Sequence, residues 1–415
     1  MRRRVVVTGR GVVTAAGLEP EAFWRSLMAG TCLLRPLRGF ALAGMEEFLV
    51  GSEVSLPPQD DPSTGSGQAL PADIHSDPHR ARCVQLALAA GRRAVRDAEL
   101  PADPAFRRRT AAVLGSTMAE ERQISDLTDR LVARDPAAVD GTLLARADNH
   151  RLAALVARQH DLGGPTLVST TACSSGNAAL AMAYDLVADG AADAAVAGGA
   201  DTFTRAVYTG FLRLNALSKS VCRPFDRRRD GITFGEGAGA LVLEELEGAR
   251  ARGATILAEV AGYGVSNDAY HITAPEPSGD GFARAMRQAL STTGTGPEQV
   301  DYVSAHGTGT PYNDLCETRA MKMVFGAAAA AIPISSIKSM LGHTNGAASA
   351  IEAVACVQAL LRQEVPPTAN LTEPDPECDL DYVPGTGRPR RVGVCLNLSA
   401  GFGGFNVCLV LRRAP

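Results

Sequence analysis

The chain opens with a β-branched apolar run in "RRRVVVTGRGVV", which predicts a buried strand ending in a tight turn at Thr8-Gly9. Further on, "RCVQLALAAGRRAVRDA" places its apolar residues at helical spacing, and "RTAAVLGSTM" returns to a short apolar run that reads as a strand. Residues 120–159 are charged and mostly helical in pattern, interrupted at "RDPAAVDG". The apolar runs at 300–305 and 332–337 read as two more strands. Helices and strands alternate, so the class is α/β. Residues 55–71, "SLPPQDDPSTGSGQALP", concentrate Pro, Gly, Ser and Asp and are expected to form an exposed loop rather than a linker between domains.

The second half echoes the first. "TILAEVAGYGVSND" repeats the strand-then-glycine pattern of the N-terminus, and "ACSSGNAALAMAYDLVADG" and "GHTNGAASAIEAVACVQALL" both run from a small polar turn through a glycine into an Ala-rich helix. Cys173 stands three residues before Gly176 and His343 three before Gly346. If the halves are duplicates, Cys173 and His343 occupy equivalent positions, and a pseudo-twofold brings both helix N-termini to one centre. The competing reading is chance likeness between two Ala-rich helices, since Ala is the best helix former.

Length and composition narrow this picture. At 415 residues the chain has room for two to three domains or one large duplicated fold. With 46% hydrophobic and 21% charged residues and a net charge of −4, neither disorder nor a polyanion-binding surface is indicated, and no nucleic-acid partner is expected. The longest apolar runs are too short to span a bilayer, and the N-terminus lacks the apolar segment of a cleavable signal, so a soluble cytoplasmic protein is expected. The nine cysteines are scattered, odd in number and form no CxxC pair, which points to reduced thiols rather than a disulfide framework or a zinc site.

Among those cysteines, Cys173 has a special setting. A thiol at a helix start gains from unpaired N–H groups and the positive end of the dipole, which favour thiolate, and its small neighbours Ala172, Ser174, Ser175 and Gly176 allow close approach. The alternative is a buried small hydrophobe, the usual fate of a free cysteine. His306 in "SAHGTGTPYND" and His343 in "SSIKSMLGHTNGA" each follow a strand-like run and sit in glycine-flanked turns; two such histidines beside a helix-start cysteine favour nucleophilic acyl chemistry. The tail "CLNLSAGFGGFNVCLVL" adds a glycine-rich turn around Phe402, suited to aiming a backbone N–H at a substrate oxygen.

Taken in order, "TTACSSG", "CRPFDRRRDGITFGEGAGALVLE", "SNDAYHITAPEP", "AHGTGTPYND", "IKSMLGHTNGAASAIEAV" and "SAGFGGFN" resemble the condensing enzymes of fatty-acid and polyketide synthesis, the β-ketoacyl-(acyl carrier protein) synthase II type, over nearly the whole chain. The resemblance implies a thiolase fold, two βαβαβαββ halves stacked in five αβαβα layers, divided here at 1–250 and 251–415. It implies Cys173 as the acyl-accepting nucleophile, His306 and His343 as the pair serving malonyl decarboxylation, and Lys338 and Glu352 as supporting residues. The backbone N–H groups of Cys173 and Phe402 would form the oxyanion hole, with Phe402 also gating acyl entry. Thr308 and Thr310 match threonines that bind the carrier's phosphopantetheine, and Asp268 and His271 fall on a loop near the mouth. Asp314 and Glu317 match acidic positions where a structural role is equally compatible. No metal or redox cofactor is expected.

The expected partners are an acyl carrier protein and a second subunit, either a copy of this chain or a chain-length-factor-like relative. Arg205, Arg213 and Lys219 are candidates to dock the carrier, or belong to a solvated helix face. One departure stands out: many members read "FGFGG" where this chain has "SAGFGG", with Ala400 at the aromatic position. The "GFGGF" ending resembles the ketosynthase subunits of type II polyketide systems.

Overall fold

A computed structural model describes all residues except 1, 39–41, 43, 57–81, 120, 135–147 and 415. Most of the loop expected over 55–71 and the break expected at 134–141 therefore lie outside the described residues. The remainder of the charged stretch is helical at Glu121–Val132 and Arg151–Gln159.

Ten strands carry the fold: β1 (Val5–Thr14), β2 (Thr110–Gly115), β3 (Thr166–Ser169), β4 (Ala194–Asp201), β5 (Gly237–Glu245), β6 (Ala258–Asn267), β7 (Tyr302–Ser304), β8 (Ile334–Ser335), β9 (Val394–Gly401) and β10 (Phe405–Arg413). Six helices accompany them: α1 (Arg82–Asp97), α2 (Arg151–Gln159), α3 (Ser175–Ala188), α4 (Asp280–Thr292), α5 (Asn313–Phe325) and α6 (Ala348–Arg362). Other short elements, among them the helix Arg205–Arg213, are insertions on this frame.

The strands pair in the order β8-β7-β9-β10-β6-β1-β5-β4-β2-β3. Read outward from the seam, the first half runs β1, β5, β4, β2, β3 and the second runs β6, β10, β9, β7, β8. Corresponding neighbours share direction: β1/β5 and β6/β10 are antiparallel, while β2/β4 and β7/β9 are parallel. Each half is thus β-α-β-α-β-α-β-β, and the duplication is real. The seam is short, with β1 and β6 joined only at Val5–Val260, Val6–Glu259 and Val7–Ala258.

Three apolar cores separate the layers. Leu86, Leu114, Leu152 and Val196 pack α1 and α2 on the outer face of the first sheet. Leu180, Leu241, Ile351, Val357 and Leu409 fill the space between the sheets, where α3 and α6 lie. Phe282, Met286, Val303, Leu396 and Val410 pack α4 on the outer face of the second sheet. The result is αβαβα, a thiolase fold. Because α3 and α6 are sandwiched on both sides, they are apolar around their circumference instead of striped.

Two expectations are corrected by the coordinates. Thr8-Gly9 is not a turn: β1 continues to Thr14 through a bulge between Val7 and Gly9. The glycine pattern serves helix contact, since a Cβ on Gly11 would fall 2.0 Å from the Ala90 carbonyl oxygen, and one on Gly264 in β6 would fall 2.1 Å from that of Ala285. The Cys173–His343 equivalence is also shifted. Each buried helix is preceded by a short 3-10 turn, Ala172–Ser174 before α3 and Asn345–Ala347 before α6, whose first residues both have left-handed backbones (φ 50° and 49°). Cys173 therefore corresponds to Gly346, and His343 lies three residues upstream. Counting back from the nearest glycine misled because the helices begin at different distances from it.

Candidate active site

The two 3-10 turns meet where the halves join, and around them one cavity of about 280 Å³ is lined by Cys173, His306, His343, Thr308, Thr310, Asp268, Ala400 and Phe402, among others. Eight residues spread over more than two hundred positions of sequence thus share one space.

Cys173 is positioned by the strained turn at Ala172, which lifts it out at the start of α3. Close approach of the β9–β10 turn completes this corner: a Cβ on Gly401 would fall 3.2 Å from the Cys173 backbone nitrogen and 2.7 Å from the Thr171 carbonyl oxygen, so only glycine fits. Burial pushes the Cys173 thiol up to about 12, against a lowering by the Lys338 ammonium and by the residue's own N–H. The dipole advantage expected from the helix start is outweighed by desolvation, and the resting group is a thiol.

His343 is held at several points. Its N–H donates to the Thr233 carbonyl (2.7 Å), its carbonyl accepts from Gly235 N–H (3.1 Å), and its Nδ1 accepts from Asn345 N–H (3.0 Å). An Nδ1 that accepts leaves the ring proton on Nε2. His306 stands edge-on to it, ring centroids 5.6 Å apart. The loop carrying His306 rests on Glu317, whose carboxylate accepts from His306 N–H (2.6 Å) and Gly307 N–H (2.8 Å). Asp314 accepts from Gly309 N–H (3.2 Å) and Phe225 N–H (2.7 Å). Both acids are cradles for the loop. Burial first, then the Lys338 charge, holds both imidazoles well below the usual histidine range, so both are neutral.

Lys338 and Glu352 form a salt bridge in which both side chains are almost fully buried. Burial raises the Glu352 carboxyl while Lys338 pulls it back. Thr308 and Thr310 join hydroxyls at 2.9 Å on the cavity wall. Asp268 lines the cavity and ties the mouth together, accepting from Asn406 Nδ2 (2.6 Å) and Glu276 N–H (3.0 Å). His271 is not brought in: it is exposed, outside the cavity lining, and its Nδ1 accepts from Thr273 and Ala274 N–H (3.1 Å each) within its own loop. The Phe402 ring stacks on Phe211 at 4.9 Å with planes 12° apart.

Several site residues were not singled out from the sequence. Phe211, on the Arg205–Arg213 helix, is the stacking partner of Phe402. Asp201, at the end of β4, takes four hydrogen bonds beside the turns. Asn177 and Asn397 lock α3 to β9, with Asn397 Nδ2 donating to Asn177 Oδ1 (2.8 Å) and Asn177 Nδ2 to the Asn397 carbonyl (3.1 Å). Only the duplicated topology would have suggested that polar residues at the strand ends and helix starts converge. No helix among the described residues is long and apolar enough to cross a membrane, and no disulfide joins two cysteines among them.

Comparison with known proteins agrees with this geometry. Residues 2–249 match the β-ketoacyl synthase N-terminal domain and residues 257–372 its C-terminal domain. The chain is 40% identical to 3-oxoacyl-[acyl-carrier-protein] synthase 2 of Synechocystis sp. over 419 residues, covering 99% of this chain and 98% of the relative. Among solved structures it superposes on the ishigamide ketosynthase/chain length factor with a TM-score of 0.92 and 40% identity, covering all of both chains. It also superposes on AntDE:AntF, a type II PKS acyl-carrier protein in complex with its ketosynthase bound to the hexaketide, with a TM-score of 0.89, 32% identity and full coverage of both chains. A duplicated thiolase fold that gathers a helix-start cysteine and two neutral histidines, together with matches across both family domains, places this chain in the β-ketoacyl synthase family.

Proposed function

We propose that the chain is a ketosynthase that condenses a Cys173-bound acyl group with a malonyl-acyl carrier protein, releasing CO2 and forming a β-ketoacyl-carrier protein. The observation that carries this reading is the convergence of Cys173, His306 and His343 on one cavity, with the two imidazoles edge to face.

Acylation exchanges one thioester for another. The Cys173 sulfur bonds to the acyl carbonyl carbon, the bond to the carrier's sulfur breaks, and the thiol proton leaves with the carrier as its free thiol. Because the thiolate is the attacking form, Cys173 loses its proton as the sulfur–carbon bond forms, and one proton is delivered to the departing carrier sulfur. The carbonyl oxygen gathers negative charge opposite the backbone N–H groups of Cys173 and Phe402. Malonyl decarboxylation then breaks the C–C bond to the carboxylate, and the electron pair delocalises onto the thioester oxygen. Neutral histidines suit this oxygen as N–H donors; a charged imidazolium would protonate the enolate and waste it. The carbanion attacks the acyl carbonyl, the C–S bond to Cys173 breaks, and the sulfur takes up one proton. Lys338 offsets negative charge in this dry space, and Glu352 offsets Lys338 between turnovers. Side chains and backbone carry every step, and phosphopantetheine belongs to the carrier substrate, with Thr308 and Thr310 suited to bind its amides.

Ala400 at the cavity wall leaves room that an aromatic ring would fill. This, with the likeness to the ishigamide and AntDE:AntF proteins, favours a polyketide carrier over a fatty-acid one. The same likeness favours a second subunit, a chain-length-factor-like partner or a copy of this chain. Of the docking candidates, Arg205 already pairs with Asp129 and Lys219 with Glu47, so exposed Arg213 is the better contact for an acidic carrier. The test is incubation with a panel of acyl- and malonyl-carrier proteins, alone and with a co-expressed chain length factor. Intact mass should show acyl addition that Cys173→Ala abolishes, together with CO2 release. No acylation and no CO2 under either condition would reject the assignment.

A further inference from the structure

Asp201 takes no part in the reaction above, yet it is 1% exposed and receives hydrogen bonds from two separate parts of the chain. Ser116 Oγ (2.7 Å), Thr117 N–H (2.7 Å) and Met118 N–H (3.3 Å) come from the loop after β2. Gly346 N–H (2.7 Å) comes from the turn before α6. The residue preceding that glycine is Asn345, whose N–H meets His343 Nδ1 at 3.0 Å.

Duplication gives the contact a meaning. β4 ends at Asp201 and β9 at Gly401, while Cys173 and Gly346 each stand two residues before their helices. In one pairing, the Gly401 turn of the second half lies against the backbone nitrogen of Cys173 in the first. In the related pairing, Asp201 of the first half lies on the backbone N–H of Gly346 in the second. Two related helix-start N–H groups therefore face the other half's strand end. At Gly346 the anion is built in, and at Cys173 the place is left for a substrate oxygen. A carboxylate at a helix start is favoured by the dipole and by the unpaired N–H groups there.

We infer that Asp201 is a positioning residue for His343: by anchoring the Gly346 turn it holds the Asn345 N–H on His343 Nδ1 and so keeps the ring proton on Nε2, where the malonyl thioester oxygen needs it. This rests on the proposed role of His343. Asp201 also carries negative charge near Cys173, where it opposes loss of the thiol proton. Loss of the charge therefore acts in opposite directions on the two groups, which a merely structural role would not do.

The test is Asp201→Asn in the full-length protein, alongside wild type and His343→Ala. The carboxamide keeps the size but turns an acceptor into a donor facing backbone N–H groups. Three results are expected: kcat for decarboxylation of malonyl-carrier protein falls at least tenfold with KM within twofold; the ring 15N resonances of His343, assigned by their loss in His343→Ala, leave the single Nε2–H tautomer; and iodoacetamide alkylation of Cys173 at pH 8 is no slower than in wild type. An unchanged His343 tautomer, or a parallel fall in decarboxylation and alkylation, overturns the inference. If Asp201→Asn does not fold, Gly346→Ala reads the tautomer instead, because its added methyl would stand 2.5 Å from the Thr117 nitrogen, 2.7 Å from the Ser116 carbonyl carbon and 2.8 Å from Asp201 Oδ2, and displace the turn from that anchor. Normal decarboxylation by His343→Ala would remove the proposed role of His343, while the 15N readout would still judge the link to Asp201.

Discussion

At Cys173 two effects oppose each other. The start of α3 and the Lys338 charge favour thiolate; burial favours thiol and prevails. The helix start was legible in "TTACSSGNAAL", but the desolvation that overrides it depends on residues from the other half. It follows that alkylation of Cys173 in the unloaded protein should rise about tenfold per pH unit between 7 and 10 without a plateau, since each unit raises the thiolate fraction tenfold. A plateau near pH 7 would show a preformed thiolate. Lys338 and Glu352 make a second residue-scale case. Lys338→Ala leaves a carboxylate buried without its counter-charge, so unfolding should cost about 3–5 kcal/mol less in the variant, while Lys338→Ala/Glu352→Ala should recover part of that loss. Denaturant titration of the single and double variants measures both.

At the scale of elements, continuous apolar runs located β2 and the start of β1, and helical spacing located α1, because each of those patterns is carried by neighbouring positions. The turn expected at Thr8-Gly9 failed since glycine serves two purposes, and only packing tells them apart. Here it lets α1 and α4 lie directly on the backbones of β1 and β6. Gly264→Ala should consequently destabilise the fold by about 1–3 kcal/mol, read from the shift in denaturation midpoint with the slope unchanged. Cys173 acylation should persist, since the strain falls on the outer face of the second sheet. The pairing of Cys173 with His343 slipped by three residues for a related reason: helix starts are set by capping geometry, which the spacing to a glycine does not report.

For the whole molecule, the site's ionisable groups make stability depend on pH in both directions. His306 and His343 are held below their ordinary range, so between that lowered range and about 6.5 the unfolded chain binds protons that the native one does not, and stability falls as pH drops. Glu317 is raised to about 7, mainly by burial, so between 4.5 and 7 the native state holds a proton that the unfolded one lacks, and stability falls as pH rises. In the overlap the two partly cancel. His343→Asn should therefore make stability rise less with pH between 5 and 6.5, and Glu317→Gln should make it rise more, each by up to about 1.4 kcal/mol per pH unit. Equilibrium unfolding of each protein at pH 5.2 and 6.2 supplies the comparison.

Sequence alone indicated the α/β class, suggested an internal repeat that the strand topology then established, and marked Cys173, His306 and His343 as candidates for the chemistry. Those follow from unbroken apolar runs, from helical spacing and from short motifs, all carried by neighbouring positions. Tertiary structure alone decided the register between the halves, the exclusion of His271 from the cavity, the Phe211–Phe402 stack and the place of Asp201. It also decided that burial raises the Cys173 thiol and lowers both imidazoles from their ordinary ranges. The physical reason is range: desolvation and cross-half hydrogen bonds are set by residues such as Asp201 and Gly346, 145 positions apart in the chain. No local pattern encodes which of them will meet.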